Sequence, residues 1–159
     1  MLIKSQFIKI MKYKEFENAF SAARLNKYLY ACNGNRSKAL QLYRLNNKLC
    51  QKLYGVLNVF EVVLRNAIYG HYKAFFSDSD WILMKIKEFR NRIAHHEPIC
   101  FDKAGLVDTT FVRTHYMLIL RYLYFLGYND REILYGLDVQ PERILKNIDD
   151  LAGIRTRVV

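Results

Sequence analysis

Residues that cross-link chains or break helices are scarce in this 159-residue sequence, which has three cysteines, two prolines and seven glycines. Cys32, Cys50 and Cys100 are scattered and form no Cys-x-x-Cys pair, so the sequence indicates neither a disulfide framework nor a zinc ribbon. The first 14 residues carry four lysines among apolar side chains and do not predict a signal peptide. No apolar run reaches membrane-spanning length. We therefore expect a soluble protein of the reducing cytoplasm that makes no contact with a membrane.

Acidic residues are also scarce relative to basic ones. The chain has 15 Asp and Glu against 25 Lys and Arg, which gives a formal net charge of +10. This excess predicts a polyanionic partner, and nucleic acid is the leading candidate. Hydrophobic residues make up 52% of the chain, and no linker, repeat or change of composition divides it. One domain over residues 1–159 is therefore predicted.

Apolar residues recur at steps of three and four, and no segment alternates with a period of two. The sequence therefore predicts an all-α bundle of five or six helices. The helices are expected at residues 14–31, 37–76, 81–96, 112–126, 129–135 and 141–152. The second has the longest apolar stripe, formed by Leu42, Leu45, Leu49, Leu53, Val56, Phe60, Val63 and Ala67. Pro98 and Gly127 are expected to follow the ends of the third and fourth helices.

The densest cluster of reactive side chains is EFRNRIAHHEP at residues 88–98, near the end of the predicted third helix. Asn91 and His95 are four residues apart, so they share one helix face, where Asn91 can orient the His95 ring by a hydrogen bond. Arg90 projects beside the apolar stripe. An imidazole exchanges protons near neutral pH, and a guanidinium binds a phosphate and stabilises its developing charge. These groups suit a metal-independent ribonuclease in which a ribose 2′-OH attacks the adjacent phosphorus.

Arg90 and His95 lie five positions apart, about 140° around an ideal helix, so one regular helix does not direct both at the same phosphate. A distorted last turn before Pro98 would bring them together, and so would a two-fold dimer in which two helix ends face one cleft. A solvated polar face is the simpler interpretation of the same residues. His95, His96 and Glu97 are too close in sequence to form a persuasive set of metal ligands, so no metal site is predicted.

The string RNRIAHHEPI at residues 90–99, with FEVVLRNAI at residues 60–68 and Asp80-Trp81, resembles the HEPN ribonucleases, and their Abi-like (abortive-infection) branch in particular. The resemblance implies a helical bundle and a homodimer with a composite active site. It also implies cleavage of single-stranded RNA without metal or cofactor, in phage defence or as a toxin. An antitoxin or a regulatory RNA is a further partner of this kind of protein.

Within that resemblance, Arg90 and His95 correspond to the catalytic pair of the Arg-x4-His motif, and Asn91 to its supporting polar residue. His96 fits the looser Arg-x5-His spacing.

Three more residues are RNA-binding candidates, namely Arg65, Asn66 and Arg92. The simpler interpretation of the first two is an ion pair between Glu61 and Arg65 within the helix, with Asn66 as a buried, hydrogen-bonded amide.

The chain departs from the family in one place. Only eight residues separate Trp81 from Arg90, whereas Abi-like relatives are expected to carry a much longer, largely helical stretch there. The departure affects the expected substrate channel and dimer surface more than the motif. It leaves open an alternative function, a non-catalytic RNA-binding or antitoxin-like module with the same fold.

Overall fold

The computed structural model describes residues 13–70, 80–137 and 139–153, and over these residues its regular structure is helical apart from one isolated bridge between Phe101 and Val107. The predicted all-α class is thus confirmed for this part of the chain, which holds seven helices instead of five or six. They are α1 (Tyr13–Phe20), α2 (Ala22–Ala31), α3 (Arg36–Gly70), α4 (Asp80–Ala94), α5 (Thr110–Phe125), α6 (Asp130–Ile133) and α7 (Gln140–Ala152).

The additional helix arises because the segment predicted as one helix over residues 14–31 is broken at Ser21, which has a positive φ of 70°. Phe20 in α1 and Tyr28 in α2 both pack on the ring of Tyr43, at centroid distances of 5.4 and 5.3 Å. In a straight helix these two residues would lie about 12 Å apart along the axis. The break at Ser21 lets both rings reach the same partner on α3.

The long helix α3 lies at the centre of the core and contacts α1, α2, α4, α5 and α7. Its predicted apolar stripe is largely confirmed, because six of the eight residues are buried and the other two, Leu45 and Ala67, are half-buried. The helix continues through Gly55. A Cβ atom at Gly55 would lie 3.3 Å from the Leu137 side chain, so the glycine allows the turn after α6 to approach α3 closely. Residues 71–76, which the sequence predicts as the end of this helix, lie outside the described part of the chain.

A buried polar contact fixes α7 against the start of α5. Asp149 is 1% exposed and accepts hydrogen bonds from Thr109 Oγ1 at 2.8 Å and from Arg113 Nη2 at 2.7 Å. The apolar residues Ile144, Leu145 and Ile148 complete the buried side of α7. Helix α7 is therefore held by apolar packing and by a buried carboxylate that is hydrogen-bonded to the start of α5.

Helix α4 packs along α3 in the opposite direction. Glu61, near the end of α3, contacts Arg90 of α4, and Asn46, near the start of α3, contacts the segment that follows α4. Phe89 and Ile93 are buried in the interface between α4 and the core. The cluster predicted to carry chemistry therefore lies beside α3. None of the described helices is long and apolar enough to cross a membrane.

Candidate functional site

The end of α4 is shaped by two backbone hydrogen bonds. The helix ends at Ala94, two residues earlier than predicted and well before Pro98. The amide of His96 donates to Ile93 O at 3.0 Å and that of Glu97 to Arg92 O at 2.9 Å, the pattern of a Schellman motif. In this motif His96 occupies the left-handed position, with a φ of 51°. Glycine is the usual residue there, because a side chain is unfavourable in this conformation.

A buried asparagine that the sequence analysis did not single out holds the chain after α4. The Asn46 side chain is fully buried; its Nδ2 donates to Glu97 O at 3.2 Å, and its Oδ1 accepts from the Ile99 amide at 3.1 Å. The Cys100 thiol also donates to Oδ1. The signal available in the sequence was a single amide inside the apolar stripe of the longest helix. Asn46 is therefore the residue that fixes His96 and Glu97 relative to α3.

Arg90 projects towards α3 and forms an ion pair with Glu61, with 2.8 Å between Nε and Oε1. The predicted ion pair between Glu61 and Arg65 is thus replaced by one between helices. Arg65 is exposed, and so is Asn66, which was expected to be a buried amide. The Arg90 side chain remains 45% exposed, so its guanidinium is accessible from solvent.

Arg92 is half-buried, and its guanidinium contacts groups of its own chain. Its Nε lies 3.2 Å from Glu97 Oε2, its Nη2 donates to Pro98 O at 3.4 Å, and its guanidinium lies 4.6 Å from the centre of the Phe111 ring. Bonds to the chain after α4 and stacking on α5 give Arg92 a structural role. Its predicted contact with RNA finds no support in this geometry.

Four predicted catalytic residues fall on two different surfaces. Asn91 and His95 are exposed and share the outward face of α4, as the helical spacing predicted. The His95 amide, directly after the end of α4, donates to Asn91 O at 3.0 Å, but among the described residues no hydrogen bond joins the two side chains. The structure therefore lacks the predicted side-chain hydrogen bond by which Asn91 would orient the His95 ring.

His96 faces the junction of α3 and α4 instead. It lines a pocket of about 320 Å³, called here the His96 pocket, together with Cys50, Gln51, Tyr54, Ile93 and Ala94. Arg90 precedes Ala94 by four residues, so the two lie about 40° apart on α4 and one turn from each other. On α3, Glu61 follows Tyr54 by seven residues and shares its face. The ion pair between Arg90 and Glu61 and the His96 pocket therefore lie along the same side of the contact between α3 and α4, called here the groove, about 10 Å apart along α3.

The cysteines beside this pocket are not suited to nucleophilic chemistry. Burial raises the pKa of the Cys50 thiol to about 12, and it does the same for Cys100. Both thiols are therefore protonated at neutral pH, and neither supplies the thiolate that a cysteine nucleophile needs.

The remaining histidines and acidic residues form no second site in the described residues. His115 is packed between Phe89 and Phe111, and its Nδ1 lies 2.8 Å from Phe111 O. His115 is thus a packed histidine, and His71 lies outside the described residues. Within the ranges given above, no group of three His, Cys, Asp or Glu side chains could hold a metal ion.

Comparisons with known proteins give no assignment. No protein-family model matches the chain, and neither the curated proteins nor the solved structures contain a match to it.

Proposed function

We propose that this protein is a metal-independent endoribonuclease of the HEPN, Abi-like kind that cleaves single-stranded RNA in the groove between α3 and α4. The observation that carries the proposal is that the Arg90 guanidinium and the His96 pocket both lie on the side of α4 that faces α3. A guanidinium and an imidazole are the groups that the reaction needs. The net charge of +10 favours a polyanionic substrate.

The groove residues divide the reaction between them. Arg90 binds the non-bridging oxygens of the scissile phosphate, in competition with Glu61, and stabilises the charge that develops there. The imidazole of His96 removes the proton from the ribose 2′-OH. The 2′-oxygen then bonds to phosphorus, the bond to the 5′-oxygen breaks, and the leaving oxygen takes up a proton. The products are a 2′,3′-cyclic phosphate and a free 5′-OH.

The reaction needs a second proton carrier, and the exposed face of α4 offers one. His95 and Asn91 are exposed and do not line the His96 pocket of their own chain. In a two-fold homodimer with α4 at its interface, His95 of the second copy protonates the leaving oxygen while His96 acts as the base. This arrangement gives both histidines a role, and an antitoxin or regulatory RNA would act by covering the same surface.

The left-handed backbone at His96 supports a functional role for its side chain. A residue other than glycine at this φ reduces stability; among the described residues Ser21, Asn33 and His96 have it, and His96 is the one that belongs to the predicted catalytic motif. Asn46 fixes the backbone of Glu97 and Ile99 on the core, so the chain directly after His96 has a rigid support.

The test is cleavage of a single-stranded RNA in EDTA. Wild-type protein should yield 2′,3′-cyclic phosphate ends, and an RNA with a 2′-deoxy sugar at the cleavage site should remain intact. Arg90→Ala and His96→Ala should each reduce the rate about a hundredfold or more, whereas Arg131→Ala, which removes an exposed arginine of α6, should not. Cleavage that depends on added metal, or no cleavage at all, would contradict the proposal.

A second candidate function is a non-catalytic RNA-binding or antitoxin-like module. The ion pair between Arg90 and Glu61 favours it, because a guanidinium that is already neutralised contributes less to a phosphate site. In that case His95→Ala and His96→Ala would leave RNA affinity and cellular effects unchanged. Affinity would still fall with added salt, as expected for phosphate contacts.

A further inference from the structure

We infer that the His96 pocket binds one nucleobase of the RNA, with Tyr54 as a stacking surface and Gln51 as the residue that reads the edge of the base. This inference deepens the proposed function and rests on it, because the base belongs to a strand whose phosphate lies at Arg90. It adds a base preference to an activity that the catalytic pair alone would carry out on any sequence.

The size and walls of the pocket fit a flat aromatic ligand. Its volume of about 320 Å³ is at the lower end of the range for small-molecule sites. Ile93 and Cys50 are buried and form an apolar base to the cavity, and Ala94 leaves one side open because its side chain is small. The Cys50 thiol is neutral, since burial raises its pKa, so no charge opposes an apolar ring face.

Tyr54 and Gln51 provide the specific contacts. Tyr54 is 43% exposed although it lies on the central helix, so one part of its ring is free to stack on a base. Gln51 precedes it by three residues on the same side of α3 and is exposed at the rim of the pocket. A carboxamide both donates and accepts hydrogen bonds, which is the chemistry that distinguishes one base edge from another.

The charges along the groove complement a nucleotide with its base in the pocket. Arg90 lies one helical turn from Ala94, about 6 Å along the axis, and so provides a cation for the adjoining phosphate. Arg65 follows Glu61 by four residues on α3 and adds a second cation, and Glu61 is the acid that faces Arg90. The cations Arg90 and Arg65 therefore lie about 10–16 Å along α3 from Tyr54, on the same side of the helix, so a strand with one base in the pocket can run past them.

The exposed tyrosine at the end of α5 provides a control surface. Tyr124 is 82% exposed and lines a separate pocket with Tyr128, Asn129 and Asp130. Asp130 makes that surface less suited to a phosphate. A comparison of variants at Tyr124 and Tyr54 thus separates the general effect of an exposed tyrosine on RNA affinity from the specific effect of Tyr54.

The experiment titrates the full-length, ¹⁵N-labelled protein with each of the four ribonucleoside 5′-monophosphates and with ribose 5-phosphate, which lacks a base. At least one nucleotide should bind tenfold or more tightly than ribose 5-phosphate and shift the amide signals of residues 50–54 and 93–97. Tyr54→Ala should weaken this binding about tenfold, whereas Tyr54→Phe should bind normally. Tyr124→Ala should also bind normally, and Gln51→Leu should change the ranking of the four bases.

The outcomes distinguish a failure of the base-binding inference from a failure of the proposed nuclease function. Equal binding of ribose 5-phosphate and the nucleotides, or equal effects of Tyr54→Ala and Tyr124→Ala, would overturn the inference. If the protein binds nucleotides in the pocket but does not cleave RNA in EDTA, the proposed function fails and the pocket remains. If it cleaves RNA with no base preference and Tyr54→Ala changes nothing, the pocket fails and the proposed function remains.

Discussion

Helices α4 and α5 end in the same way but with different residues at the left-handed position. After α5, the Gly127 amide donates to Tyr124 O and the Tyr128 amide to Leu123 O, both at 2.9 Å. The α4 end repeats this pattern with His96 in place of Gly127. A Cβ atom at Gly127 would meet nothing within 4 Å, so that position needs only the conformation that glycine adopts easily. At the end of α4 a side chain faces a pocket, and it is present despite the unfavourable backbone conformation.

The segments that follow the two helices are also held in different ways. After α5, the chain continues into α6 through a local cap, in which Asn129 Oδ1 accepts from the Arg131 amide at 3.0 Å. After α4, the chain is held by the buried side chain of Asn46 from α3. One helix end is thus formed by local interactions, whereas the other is fixed by a distant residue. Such support is expected where a side chain must keep a defined position.

The largest predicted effect comes from removing the support of the α4 end. Asn46→Leu would leave the Glu97 carbonyl and the buried Ile99 amide without partners, and the free energy of unfolding should fall by about 2–4 kcal/mol. Asn129→Ala removes only a local cap and should cost about 1 kcal/mol. Urea denaturation of both variants measures the difference. Similar losses for the two would contradict the distinction between a distant and a local support.

An exchange of the two left-handed residues should produce a smaller change, with opposite signs for stability and activity. His96→Gly relieves the backbone conformation, so the free energy of unfolding should rise by about 1 kcal/mol while RNA cleavage falls a hundredfold or more. Gly127→His should lower stability by about 1 kcal/mol and leave cleavage unchanged. Denaturation and cleavage rates are measured on the same preparations. A His96→Gly protein that is more stable and still cleaves RNA would remove His96 from the site.

The periodicity of apolar residues predicted most of the helices, but it did not predict the difference between the ends of α4 and α5. The apolar stripe of α3 and the helical segment before Pro98 followed from the spacing of apolar residues, because burial of one face is a local property of the sequence. The break at Ser21 depends on two rings meeting Tyr43, and the role of Asn46 depends on a segment about 50 residues away. Such contacts are decided by tertiary packing, so local patterns carry little information about them.

The candidate site at the end of α4 also depends on tertiary contacts that local patterns do not predict. Helical spacing grouped Asn91 with His95 on one face, but it could not show that the chain turns after Ala94 and brings His96 to a pocket lined by Cys50 and Tyr54 of α3. It also favoured Arg65 as the partner of Glu61, because residues four apart on one helix are neighbours. The actual partner, Arg90, comes from an antiparallel helix whose position the spacing does not define.

The smallest predicted effect distinguishes a catalytic Arg90 from a structural one. Glu61→Gln removes the acid that lies 2.8 Å from the guanidinium, at a site exposed enough that the free energy of unfolding should change by less than about 0.5 kcal/mol. The freed guanidinium should bind phosphate more strongly, so the Kd for RNA at low salt should fall a few-fold and the cleavage rate should not decrease. Glu132→Gln, which removes an exposed acid of α6, controls for the change in net charge. If both variants change RNA affinity equally, only overall charge acts; if Glu61→Gln alone abolishes cleavage, Glu61 is required to position Arg90, and the ion pair is part of the site instead of a competitor for the phosphate.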